Sequence, residues 1–476
     1  MKYNLVCGFE THIELSTKEK LFCPCKVKFG SEPNSNCCPI CIGAPGTLPV
    51  LNREAVIYAI KMGLALNCKI NLFSKMERKC YFYPDLAKAY QISQNDLPLC
   101  GPGFVELDSG KKIRIHHIHI EEDAGKIKNE SDGIYVDYNR SGVPLIEIVS
   151  EPDISSIEEA QEYIEKLQLT ARYVRVSDAR MQEGSIRCDV NISVKPENSD
   201  KLGTRIEIKN MNSISFIAKA LKYEYERQVD VLESGGQLIQ ETRRFNEQKN
   251  CTEGMREKED ASDYGYFPEP NLPSICLEQE KVDEIKKNLP EMYYSREKRY
   301  ISLGVPEKTA SLLVKYVNVS DFFDLAIKNC KSPERVANLI IGQIFSFLGS
   351  ETEKEEFKIS VSPQDLNYLV NLVADNKLNM ASAKNLLSSA LEGKGNLKDL
   401  IDKFISESPK FDLKAICNEC TEACPEAVQD YLNGKEKALQ AIIGKVMAKT
   451  RGSANAAEAK NIIISIINEK KDVAKN

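Results

Sequence analysis

In Gly8-Phe9-Glu10-Thr11-His12-Ile13-Glu14-Leu15, ionisable and apolar residues alternate. A strand alternates its side chains with period two. Glu10, His12 and Glu14 therefore share one face about 7 Å apart, and Phe9, Thr11, Ile13 and Leu15 take the other. The pattern recurs in Arg187-Cys188-Asp189-Val190-Asn191-Ile192 and in Thr204-Arg205-Ile206-Glu207-Ile208-Lys209. A further run, Ile118-His119-Ile120-Glu121-Glu122-Asp123-Ala124-Gly125-Lys126, ends in carboxylates followed by Gly and Lys. Carboxylates with an imidazole suit a hard cation such as Mg²⁺, and Arg and Lys among them suit phosphate oxygens. The set describes a nucleotide-and-metal site on a sheet. A sheet with one solvated face shows the same alternation for no catalytic reason. Here, however, His, Asp, Asn and Arg stand on several strands where an idle wet face carries Thr and Lys.

A second constellation is sulfur. Cys23-Pro24-Cys25 and Cys38-Pro39-Ile40-Cys41 are two close thiol pairs joined by a loop rich in Gly, Pro and Asn. They can close a tetrahedral four-thiolate site, with Zn²⁺ the default ion, and such a site is structural because no position stays open for water. Cys37, beside Cys38, is an alternative third ligand, and four buried free thiols are the alternative to any metal. Cys417, Cys420 and Cys424 fall at helical core spacing and have no fourth ligand nearby.

The elements that must position these residues follow from the pattern along 476 residues. To about residue 292, short alternating segments broken by Gly, Pro and Asn predict a mostly antiparallel sheet with inserted helices. From 293 to 405, segments such as Arg335-Val336-Ala337-Asn338-Leu339-Ile340-Ile341 carry apolar residues at three- and four-residue spacing, as helices do. A break near Ser408-Pro409 opens a last helical block, 406–476. The expected fold class is α+β, in three domains. No apolar run reaches the ~18–20 residues of a membrane span. With no leader pattern and sixteen cysteines, the expectation is a cytoplasmic protein with reduced thiols. The net charge of −6 confines any nucleic-acid contact to a local patch.

One such patch lies in the tail. Leu439, Ile442, Ile443, Val446 and Met447 form an apolar stripe, Lys445, Lys449 and Arg451 decorate the other side, and Gly452 is placed to cap the helix end. A basic face suits RNA phosphates, and equally suits plain solvation.

Several segments make the chain similar to a known family. They include Gly8–His12, Tyr81-Phe82-Tyr83-Pro84-Asp85-Leu86, Tyr90-Gln91-Ile92-Ser93-Gln94, His119–Lys126, Val136-Asp137-Tyr138-Asn139-Arg140, Glu207-Ile208-Lys209-Asn210 and Asp263–Pro270. In content and order they resemble the B subunit of the aspartyl/glutamyl-tRNA amidotransferases. That resemblance implies a catalytic cradle similar to glutamine synthetase, then a helical domain, then a small tRNA-binding tail. It implies ATP- and Mg²⁺-dependent phosphorylation of the side-chain carboxylate of Glu-tRNA(Gln), with Asp-tRNA(Asn) a second candidate substrate. Ammonia then displaces the phosphate, channelled from a glutaminase A subunit in a heterotrimer with a small C subunit. Carried over by motif, Glu10, His12, Glu122 and Glu207 are the Mg²⁺ ligands. Arg140, Arg205 and Lys209 are the candidate nucleotide contacts. Cys23, Cys25, Cys38 and Cys41 occupy the zinc positions found in part of the family, and the basic tail face becomes a tRNA contact.

The sequence departs from the family at Thr11, usually apolar, at Phe245, often Trp, and at Gly254 and Gly265, often Ser and Arg. The Gly265 change leaves its loop unassigned to nucleotide binding. A non-catalytic zinc-containing RNA-binding scaffold is the competing reading. An aminoacyl-tRNA synthetase is disfavoured, since neither of that class's signature motifs is present.

Overall fold

The computed structural model describes residues 2–211, 213–257, 265–407, 412–450, 454 and 456–473. It divides into two units, 1–292 and 293–476. Among the described residues, no helix is long and apolar enough to cross a membrane.

The first unit is built on an eight-stranded sheet. Its strands are β1 (Tyr3–Glu14), β2 (Gly103–Glu106), β3 (Lys112–Glu122), β4 (Pro144–Ser150), β5 (Ile186–Pro196), β6 (Ile206–Met211), β7 (Glu241–Asn246) and β8 (Cys251–Glu257). They lie in the order β8-β7-β6-β5-β1-β4-β3-β2. The long β1 sits centrally, paired with β5 from Tyr3↔Pro196 to Ile13↔Ile186 and with β4 from Glu10↔Val149 to Glu14↔Leu145. One face is apolar. Phe9, Ile13, Ile118, Ile120, Ile146, Ile148, Val190 and Ile192 are all essentially buried. Helices α1 (Arg53–Ala65), α2 (Ile157–Tyr173) and α3 (Ile214–Glu233) accompany the sheet. Each begins at a side chain that accepts a free backbone N–H, Asn52, Ser156 and Ser213 respectively. Phe9 meets Tyr163 of α2 at 5.7 Å between ring centroids. Thr11 is buried on this same face, and Phe245 is buried against Phe216 of α3, so both fill core positions.

The expected antiparallel order holds for every pair in this sheet but one. β6 and β7 are parallel, with Glu207 opposite Thr242. Parallel neighbours cannot be joined by a tight turn, and α3 supplies the crossover between them. β6 also begins at Ile206, which leaves Arg205 just ahead of it and exposed.

A smaller sheet of Glu77–Cys80, Tyr90–Ser93 and Gly265–Pro268 belongs to the same unit. Arg78 ties it together by pairing with Glu269 at 2.6 Å and lying over the Tyr90 and Phe267 rings.

The second unit is helical from Tyr293–Ser302 to Ala456–Val473. It holds two separate buried clusters. One runs from Tyr300 to Ile401 and includes Phe323, Ile340, Leu369 and Leu387. The other gathers Leu439, Ile442, Ile443 and Val446 against Ile463 and Ile467, with Cys417, Cys420 and Cys424 packed among them as the helical spacing predicts.

Candidate active site and thiolate centre

Cross-strand register assembles the polar face of the large sheet. On β3, His119 lies opposite Glu147 of β4. Glu147 lies opposite His12 of β1, and His12 opposite Arg187 of β5. Further along the same face of β1, Glu10 faces Asp189, and Gly8 faces Asn191, which in turn faces Glu207 of β6. The polar face is therefore one continuous row across β3, β4, β1, β5 and β6.

Its centre is a cluster of two imidazoles and two carboxylates. His12 Nε2 lies 3.2 Å from Glu121 Oε1 and 3.4 Å from Glu147 Oε2. His119 Nε2 lies 3.5 Å from Glu121 Oε2 and 3.2 Å from Glu147 Oε2. Burial alone would push the His12 imidazole down, but Glu121 and Glu147 outweigh it and hold His12 well above its ordinary range. Burial likewise works against His119, and the same two carboxylates bring it to about 9. In return, His119 and His12 overcome burial to lower Glu121 to about 2, and they hold Glu147 well below the usual carboxylate range. Glu10 is shifted the other way, raised by burial and by Glu147, while Asn191 Nδ2 donates to its Oε1 at 2.9 Å. Further along the row, Lys209 Nζ bridges Asp189 at 2.8 Å and Glu207 at 3.0 Å. Thr242 donates to Glu207 at 2.8 Å.

The donor set fits a hard divalent cation. One donor atom from each of His12, Glu121 and Glu147 lies within 4.8 Å of the others. Both carboxylates are anionic, and oxygen donors outnumber nitrogen. The protons that now balance the cluster sit on imidazoles, which lose them when a metal binds.

Two of the four expected ligands, Glu10 and His12, stand in this row, and Glu207 lies two strands away in it. Glu122 does not. Its carboxylate is paired with Lys88 and accepts the Ile92 N–H at 2.9 Å. Period two puts Glu121, not Glu122, on the face of His119, so the expectation of Glu122 beside His12 is corrected to Glu121. Glu147 and His119 had not been assigned to the site. Glu147 was the harder to find, being a single charge inside the apolar run Pro144-Leu145-Ile146-Glu147-Ile148-Val149.

The expected nucleotide contacts are scattered. Arg140 donates to the carbonyls of Ala124 and Gly125 at 3.0 and 3.3 Å and faces Asp123 at 3.3 Å, and Arg187 holds the same Asp123 at 2.8 Å. Glu14, close by, is raised to about 7 by burial and by Asp123, against the pull of Arg187 and Arg140. Lys209 is in the row, and Arg205 lies exposed at its end. A cavity of about 860 Å³ opens over the row, lined by Glu10, His119, Glu121 and Glu147 below and by Lys79 and Tyr266 of the smaller sheet.

The thiols gather as the spacing predicts. Cys23, Cys25, Cys38 and Cys41 place their sulfurs within 4.8 Å of one another. Cys38 and Cys41 are 4.0 Å apart, close to the ~3.8 Å between sulfurs implied by a tetrahedral site with bonds of about 2.3 Å. Hydrogen bonding from Cys23 lowers Cys41 to about 4, which leaves a thiolate ready as a ligand. Cys37 turns away, its sulfur 3.8 Å from Asn139 Oδ1. Cys38 is thereby the third ligand.

Residues 5–283 match the GatB/GatE catalytic domain, and residues 321–467 match the GatB domain. The chain belongs to the GatB/GatE family. The B subunit of the aspartyl/glutamyl-tRNA(Asn/Gln) amidotransferase of Thermoanaerobacter pseudethanolicus is 50% identical over 463 residues, covering 96% of this chain and 97% of the relative. The protein of the same name from Clostridium kluyveri is 43% identical over 462 residues, with 96% and 97% covered. As a GatB-family chain it is the B-type component of a tRNA-dependent amidotransferase, and the polar row lies wholly within the span of the family's catalytic domain.

In the tail, Lys445 donates to the Ala423 carbonyl at 3.1 Å, and Lys449 is paired with Glu419. Arg451 and Gly452 lie outside the described residues.

Proposed function

We propose that this GatB-family chain carries the kinase and amidation steps of a cytoplasmic heterotrimer with a glutaminase A subunit and a small C subunit. In this reading it uses ATP to phosphorylate the side-chain carboxylate of Glu-tRNA(Gln), and of Asp-tRNA(Asn) where the cell makes it. Ammonia from the partner then replaces the phosphate. The sheet acts as a cradle of the glutamine synthetase kind, and the basic tail face contributes to holding the tRNA.

The observation that carries this reading is the polar row, with His12, Glu121 and Glu147 converging at its centre and Glu10 and Glu207 flanking them. Phosphoryl transfer to a carboxylate needs no nucleophilic side chain, because the substrate's own oxygen attacks. It needs positioning and charge neutralisation, and Mg²⁺ bound at this row would neutralise the transferring phosphoryl group. His12, Glu121 and Glu147 would hold the ion, Glu10 and Glu207 would extend the acidic row, and Lys209 would offer an ammonium to phosphate oxygens. Arg140 is occupied with Asp123 and the 124–125 backbone, so its role is to fix that loop. The smaller sheet, pinned by Arg78–Glu269, walls the cavity against water. Zn²⁺ in the four-thiolate site is structural in this account.

The test is ADP release by the assembled complex supplied with ammonia and Glu-tRNA(Gln). Release that depends on the misacylated tRNA supports the reading. No release above the rate with uncharged tRNA overturns it in favour of a non-catalytic RNA-binding scaffold.

A further inference from the structure

Glu207 is held by two donors of different kinds. Lys209 brings a positive charge to Oε1 at 3.0 Å, and Thr242 brings a neutral hydroxyl to Oε2 at 2.8 Å. The lysine is 39% exposed in its side chain, whereas Thr242 is 1% exposed. A charged ammonium competes with an arriving cation for the same carboxylate. A buried hydroxyl fixes the carboxylate's orientation and leaves its charge intact.

Thr242 is itself aimed. The parallel β6–β7 register places it opposite Glu207, and the pairing of β7 with β8 shifts by one residue between Thr242 and Arg243. Such a shift re-aims side chains and is frequent beside active sites. The next residue, Arg243, is anchored by Thr252 Oγ1 at 2.9 Å, the Thr252 carbonyl at 2.9 Å and Glu241 at 2.7 Å. The fully buried Glu224 of α3 backs this anchor, accepting from Thr252 at 2.7 Å. A rigid buried network thus ends one residue from the hydroxyl that touches Glu207.

We infer that Thr242 is a positioning residue that orients Glu207 for the divalent cation of the polar row. The inference rests on the reading of that row as a metal site, and its test separates the two. In the assembled complex, the Mg²⁺ midpoint of tRNA-dependent ADP release is measured for wild type and for Thr242→Val, Thr242→Ser, Glu207→Gln and the Thr242→Val/Glu207→Gln double variant. Thr242→Val, which keeps the shape and loses the hydroxyl, is expected to raise the midpoint about 10–100-fold, with a smaller change in the rate at saturating Mg²⁺. Thr242→Ser restores the midpoint, and the double variant matches Glu207→Gln alone. Thr242→Ala carries the same expectation as the valine variant should the latter fail to fold. A wild-type midpoint in Thr242→Val alongside a shifted one in Glu207→Gln overturns this inference and leaves the metal row standing. An unshifted midpoint in Glu207→Gln removes Glu207 from the metal site and overturns the inference with it. A loss of rate in Thr242→Val with no change in midpoint reduces Thr242 to packing and also overturns it.

Discussion

Glu121 and Glu122 are consecutive residues whose carboxylates serve different partners: Glu121 Oε1 lies 3.2 Å from His12 Nε2, while Glu122 is paired with Lys88. The turn of one residue along β3 decides which of the two belongs to the polar row.

The two are therefore expected to respond differently to loss of charge. Glu121→Gln should cut tRNA-dependent ADP release by about tenfold or more and raise the Mg²⁺ midpoint, since a metal-site partner typically contributes about 10–100-fold. Glu122→Gln should leave the midpoint alone and lower stability by about 3–5 kcal/mol, the cost of breaking a buried pair. A Mg²⁺ titration and a denaturant melt on each variant check this, and a shifted midpoint in Glu122→Gln would count against the assignment.

The parity that separates these residues was legible in the sequence, because His119 and Glu121 are two apart and must share a face. The row on β1 and β5 was legible for the same reason. Glu147 was not, because a lone charge in an apolar strand reads as an edge or an exception until a neighbouring strand is known. Nor was the parallel β6–β7 pair. Alternation says which face a residue takes, and long-range packing decides which strand lies beside it. The Cys38 or Cys37 choice likewise needed the loop that turns Cys37 toward Asn139. The helical character of the chain beyond 292 was plain from its periodicity, whereas the pairing of Lys449 with Glu419 joins two different helices and left no local trace.

The thiolate centre predicts one zinc per chain. Cys38→Ser should lose the metal, and Cys37→Ser should keep it. Elemental analysis of the purified variants decides the matter, and equal zinc in wild type and Cys38→Ser would refute the site.

The Glu224 network is a stability device. Glu224 is fully buried and accepts from Arg227 at 3.1 Å, from Gln228 at 3.1 Å and from Thr252 at 2.7 Å. Glu224→Ala strands two arginines and should cost about 3–5 kcal/mol, read by chemical unfolding. A loss under about 1 kcal/mol would show that water reaches the site and replaces the carboxylate.

The tail's cations should act on RNA through phosphates alone. Lys445→Glu is expected to weaken tRNA binding about equally for charged and uncharged tRNA and to lower the salt slope by about one. Lys449→Glu should do the same and also lose its pairing with Glu419. Filter binding across a salt series tests both, and an unchanged slope would remove the tail face from the RNA contact.

The central claim is that His12, Glu121 and Glu147 converge on a divalent cation, and Mn²⁺ binding followed by electron paramagnetic resonance on the assembled complex tests it most directly. The account predicts a Mn²⁺ site in the wild-type protein that competes with Mg²⁺ and is lost in His12→Ala and in Glu147→Gln. Mn²⁺ bound with unchanged affinity and number in both variants would contradict it.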